Sequence, residues 1–116
     1  MGEFMLVLLH AATNTHILHL RSRSYAEHQA LGEFYQALPD LVDGLIESIQ
    51  GKTGELIDYP NMYYPPESTG KEELQMLSDY VVENRHLLPQ DSEIQNTVDE
   101  IESQINSTLY KLRFLA

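Results

Sequence analysis

From His28 to Ile49 the residues His28, Leu31, Tyr35, Leu38, Val42, Leu45 and Ile49 recur at intervals of three or four. That spacing keeps one face of an α-helix apolar for about six turns. A strand cannot present it, because strand side chains alternate with a period of two. Pro39 falls inside the stripe. An interior proline removes a backbone donor and crowds the carbonyl four residues back, so a bend near Tyr35 is expected. The stripe keeps its phase on both sides of the proline, which argues for one bent helix rather than two. Only a sharp break at Pro39 would fold the second half back on the first.

The other elements follow from this one. Ser24 with Glu27 three residues on forms a capping box that starts the long helix, and Gly51 is a natural stop. Upstream, Met5 to Leu20 reads as a first helix, with Leu9, Thr13, His16 and Leu20 on one stripe and Leu6 and Ile17 beside it. Met1-Gly2-Glu3-Phe4 ahead of a second methionine reads as a cloning remnant, so the domain is taken as residues 5–116. Thr69 with Glu72 opens a third helix carrying Leu74, Leu77, Val81 and Leu88, and Pro89 ends it. Ser92 with Gln95 opens a fourth, carrying Ile94, Val98, Ile101, Ile105, Thr108 and Leu112. No segment alternates convincingly with period two, so the fold class is all-α.

Connection lengths select a topology. The short turns after Leu20 and after Leu88 make two antiparallel helical hairpins. Between them, Lys52 to Ser68 includes Tyr59-Pro60-Asn61-Met62-Tyr63-Tyr64-Pro65-Pro66 and is long enough to traverse a bundle. A four-helix bundle with one long crossover between helices two and three is the ferritin-like arrangement. The proline-stiffened segment is expected to pack as that crossover.

Charge and composition restrict the partners. Seven basic residues face 18 acidic ones, a net charge of −11, which repels nucleic acid and anionic membranes and favours cations or basic partners. With no cysteine there is no disulfide, no thiolate metal site and no cysteine nucleophile, which suits a cytoplasmic location. No apolar run approaches the roughly 20 residues of a membrane span.

Five histidines carry the candidate chemistry. Glu83 and His86 make the Glu-x-x-His spacing of di-iron bundles, but that site needs the motif on two helices and there is no second copy, so His86 reads as a helix-end residue complementing the dipole. His10 and His19 read as structural or exposed. His16, His28, Asp43 and Glu47 form a set with more content. His28 and Asp43 stand fifteen residues apart on one helix, about 22 Å along its axis, and cannot hold the same ion within one straight helix. If all four are metal ligands, His16 and His28 of one subunit meet Asp43 and Glu47 of another. A two-fold axis then gives two equal sites, and the chain is a dimer at minimum. Two imidazoles and two carboxylates suit iron(II), zinc or manganese.

The order His16, His28, Asp43, Glu47, with Phe34 six residues after His28, resembles the ferroxidase motif of the miniferritins, the DNA-protection-during-starvation proteins. The similarity spans roughly residues 16 to 51. It implies a ferritin-like bundle that binds iron across a dimer interface, with His16 and His28 holding the metal and Asp43 and Glu47 binding or bridging it. Ile17 stands where that family carries tryptophan. The same stretch also resembles small proteins of tailed bacteriophages, which would place the chain in a host cytoplasm. Two other functions fit the residues: a non-catalytic helical interaction protein that binds a host protein, and a small-ligand binder that uses Arg21 and Arg23 beside the capped start of helix two to hold an anion.

Overall fold

In the computed structural model, which describes residues 1–116, the chain is all-helical. Its elements are α1 (Gly2–Arg21), α2 (Tyr25–Thr53), α3 (Gly70–Asn84), a 3-10 turn (Arg85–Leu87) and α4 (Ser92–Phe114). The Ser24 hydroxyl accepts the Glu27 N–H and starts α2 as the capping box requires. The helix continues through Pro39 without interruption, so Asp43 and Glu47 do not fold back on His28 within one chain. It also continues through Gly51 and ends at Gly54, whose φ of 73° places it in the left-handed region, with its N–H bonded to the Gln50 carbonyl. Gly51 is therefore not the stop: at that position nothing forces a left-handed turn, and Gly54 supplies one.

The later caps divide in the same way. Thr69 accepts the Glu72 N–H and starts α3. The α-helix ends at Asn84 and tightens into the 3-10 turn before Pro89, while Leu88 remains in the core. Ser92 is the first helical residue of α4 rather than its cap. Asp91 takes the cap position without a side-chain bond to the helix, and its carboxylate lies 3.1 Å from Lys52 Nζ instead.

The four helices pack as a bundle in which α1 touches α2 and α3, and α4 touches α2 and α3. The ion pairs Lys52–Asp91 at one end and Glu33–Lys111 at the other make α2 and α4 antiparallel. At about 1.5 Å per residue the 29 residues of α2 account for the 45 Å long dimension of the molecule. Leu31, Phe34, Leu38, Val42, Leu45 and Ile49 of α2 enter the core together with Leu74, Leu77 and Val81 of α3 and Ile94, Val98, Ile101, Ile105 and Leu112 of α4, as their spacing predicts.

α1 differs from its sequence reading. Its buried face is Phe4, Met5, Val7, Leu8, Ala11, Asn14, Thr15 and Leu18, while Leu9, Thr13, His16 and Leu20 all face outward. The run from Met5 to Leu9 is apolar all round, so periodicity alone could not choose a face. The small and polar residues that follow, Ala11, Asn14 and Thr15, are the ones that pack. Helix and core also extend upstream of Met5: α1 begins at Gly2 and Phe4 is 1% exposed.

The segment from Gly54 to Thr69 lies along α1 and is pinned by hydrogen bonds. Ile57 N–H reaches Gln50 Oε1, Tyr64 N–H donates to His10 Nδ1, Asn14 Nδ2 donates to the Tyr64 carbonyl, and Glu67 N–H donates to Glu73 Oε1. No helix is long and apolar enough to cross a membrane.

Candidate functional site

The α1–α2 hairpin gathers three of the five histidines. Its turn is only Ser22 to Ser24, so side chains a few residues back from each helix end face one another across it. His19 and His28 stack with ring centroids 3.7 Å apart and planes 17° from parallel. Their backbone contacts are reciprocal: His19 Nδ1 donates to the His28 carbonyl at 2.6 Å, and His28 Nδ1 donates to the His19 carbonyl at 2.9 Å. The His19 carbonyl belongs to the last turn of α1, where the Ser22 N–H reaches it at 3.4 Å, and the His28 ring adds a second, shorter bond. The space for the His19 ring comes from Gly32, where a Cβ would stand 3.0 Å from His19 Cε1.

A carbonyl oxygen can only accept, so in both rings Nδ1 carries the proton. In the neutral form Nε2 then holds a free lone pair. His16 is exposed and lies flat on Tyr35, with centroids 4.0 Å apart and planes 7° from parallel. It is 6.2 Å from His19. The cluster is thus His16, His19, His28 and Tyr35, and His19, which the sequence reading set aside, is at its centre. The signal for it was positional: His19 and His28 sit at comparable distances from a three-residue turn.

Asp43 and Glu47 are exposed one turn apart on α2 and take no part in the three ion pairs of the molecule. Between them Gly44 has nothing within 4 Å of where its Cβ would be, so this strip of helix is bare. Within one chain no three His, Cys, Asp or Glu side chains are grouped so that they could hold a metal ion. The structure brings His16 near His19 and His28, and leaves Asp43 and Glu47 apart from them, further along α2. His86 is exposed in the 3-10 turn. His10 holds the connecting segment through Tyr64.

A second polar group was not foreseen. Glu73 is fully buried in the first turn of α3, with Oε1 accepting the Glu67 N–H and Oε2 unpartnered. Burial pushes its carboxyl up from the usual range, while the Glu67 N–H and the Asn14 amide pull the other way. Its place four residues before Leu77, on the core stripe of α3, was the available sign. Nearby, burial raises the Tyr80 phenol to about 12, with Glu3 and Tyr64 adding to the shift.

Fold and site together define a small four-helix protein with a histidine–tyrosine cluster at one end and an exposed acid pair on its longest helix. It belongs to the family of unknown function DUF5856, whose family model matches residues 19–112. No curated protein and no solved structure matches the chain.

Proposed function

We propose that the protein is a ferritin-like metal-binding bundle that acts as a homodimer, with His16 and His28 of one subunit and Asp43 and Glu47 of the other forming an iron site of ferroxidase type. The observation that carries this reading is the bond from His28 Nδ1 to the His19 carbonyl. Histidine ligands to metals usually donate their second ring nitrogen to a carbonyl or carboxylate, which fixes the tautomer and aims Nε2 at the metal. The exposed, unpaired Asp43 and Glu47 supply the complementary carboxylates. The set of two imidazoles and two carboxylates fits iron(II), with zinc and manganese as competitors. The segment Gly54–Thr69 plays the part of the long crossover of that fold. The acidic surface draws cations toward the bundle.

The test is metal binding by untagged protein under anaerobic iron(II), followed by elemental analysis. His16→Ala and Glu47→Ala should each abolish binding, while His86→Ala leaves it intact. Mixed and allowed to exchange subunits, the two inactive variants form heterodimers in which one site carries both lesions and the other is whole. Each heterodimer therefore regains one of its two sites. Verified exchange without recovery overturns the split site, and binding that survives all four ligand substitutions overturns the metal reading.

A second reading is favoured by the outward stripe of α1. Leu20 is 68% exposed and the adjoining Tyr25 is 75% exposed. Those residues suit a non-catalytic interaction protein, in which the His19–His28 pair is a structural clasp and the stripe contacts a host protein. Variable, sub-stoichiometric metal would favour it.

A further inference from the structure

Between the capped starts of α2 and α3 lies an open cleft of about 230 Å³, walled by Arg21, Ser22, Arg23, Glu27, Ser68 and Thr69. The three ion pairs of the molecule use Lys52, Arg85 and Lys111, so neither Arg21 nor Arg23 has a carboxylate partner. The setting is unusual for this chain. Five of the seven basic residues, Arg21, Arg23, Lys71, Lys111 and Arg113, belong to this end of the bundle. Three of the 18 acids, Glu27, Glu72 and Glu73, stand in the first turns of α2 and α3. The cap side chains Ser24 and Thr69 satisfy the N–H groups of Glu27 and Glu72. The remaining first-turn N–H groups of both helices have no such cap and add positive potential, offset in part by the last carbonyls of α1, whose final turn carries Arg21.

We propose that this cleft binds a phosphate group, held by Arg21 and Arg23 and selected by Glu27. The volume lies below the roughly 300–1,000 Å³ of pockets for organic ligands, which favours a compact anion. Guanidinium groups match the paired oxygens of phosphate with parallel charge-assisted bonds. Glu27 is the one acid in the wall and determines which anion fits. Near neutral pH inorganic phosphate always carries at least one O–H, and a monoester retains one in part of its population, its second ionisation lying at about 6. That O–H can donate to the Glu27 carboxylate. Sulfate has no proton to offer and would set its own oxygens against Glu27, so it is rejected although its size and shape are similar.

The experiment is titration of the intact protein with inorganic phosphate and with sulfate at pH 6.5 and constant ionic strength, followed by calorimetry and by amide chemical shifts. Phosphate should bind, with shifts confined to residues 21–27 and 68–72, and sulfate should bind roughly tenfold more weakly, the scale of one charge-assisted hydrogen bond. Arg21→Gln and Arg23→Gln should each weaken phosphate binding by a similar factor. Glu27→Gln, whose amide can donate to either anion, should abolish the preference. Phosphate and sulfate binding equally to the unmodified protein, shifts centred on Lys52 or Arg85, or unchanged binding in both arginine variants would overturn the proposal. Should either variant unfold, the shift map of the unmodified protein decides alone. Phenyl phosphate distinguishes the source: tighter binding than inorganic phosphate places an organic tail in the adjoining cavity beside Lys71 and Leu112, and equal binding assigns recognition to the phosphate alone.

Discussion

Glu73 shows how one side chain can set the pH behaviour of a fold. A carboxyl buried with one unpartnered oxygen is harder to ionise in the folded chain than in the unfolded one. Its contribution to stability is complete below the unfolded value and is lost as pH rises through the raised folded value. Glu73→Gln keeps an acceptor for the Glu67 N–H and cannot ionise. In denaturant titrations the unmodified protein should therefore lose stability relative to Glu73→Gln as pH climbs above the ordinary carboxylate range, with the two converging in acid. A constant difference across that range would refute the assignment. Phe4 offers a test of a different kind. Its ring is buried and lies 5.8 Å from that of Tyr80, so Phe4→Ala should cost about 3–5 kcal/mol of unfolding free energy. Both residues escaped the sequence reading for physical reasons. An acid on a core stripe looks solvated until its backbone donor is known, and Phe4 preceded the residue from which the domain was counted. His19 was missed because its partner, the His28 carbonyl, belongs to the backbone and carries no residue signature.

At the scale of elements, legibility followed contrast. α2 and α4 alternate apolar and charged residues around the helix, and their stripes were readable down to Thr108, which is buried and bonds the Gln104 carbonyl. α1 offers little contrast. Its core face was decided by what packs against it, including the connecting segment that Asn14 and His10 hold. Caps were legible where a hydroxyl and an acid stood three residues apart, as at Ser24 and Thr69. The reading failed at Ser92, whose neighbour Asp91 carries the cap position and pairs with Lys52. Glycines give the clearest tests. At Gly54 the left-handed backbone makes Gly54→Ala unfavourable by about 1–2 kcal/mol. Gly44 is helical with open surroundings, so Gly44→Ala should stabilise the fold by about 0.5–1 kcal/mol. Thermal melts of the two variants should therefore move in opposite directions.

For the whole molecule the two-helix hairpins and the all-α class were written in the chain, whereas the ligand arrangement was not, because the proposed site is shared between subunits and would leave no mark on one chain beyond its separation. The proposed dimer should be visible by light scattering at micromolar concentration, and a species of 13.3 kDa alone would defeat the shared site. Substitution of charge separates folding from assembly. Leu45→Asp places a charge at a fully buried position and should unfold the chain. Asp43→Lys with Glu47→Lys changes only the exposed strip of α2 and should leave helicity intact while altering association. The segregation of charge along the bundle has a further result. With five of its seven basic residues at one end and its acids spread along the bundle, the molecule carries a permanent electric dipole along its long axis. Copies stacked end to end would align these dipoles and could extend without limit, whereas a pair related by a two-fold axis across α2 lies antiparallel and cancels them, closing the assembly at two. Low salt, where the field reaches furthest, should therefore deepen the contrast between these two modes of association, and 1 M salt, with a screening length near 3 Å, should erase it.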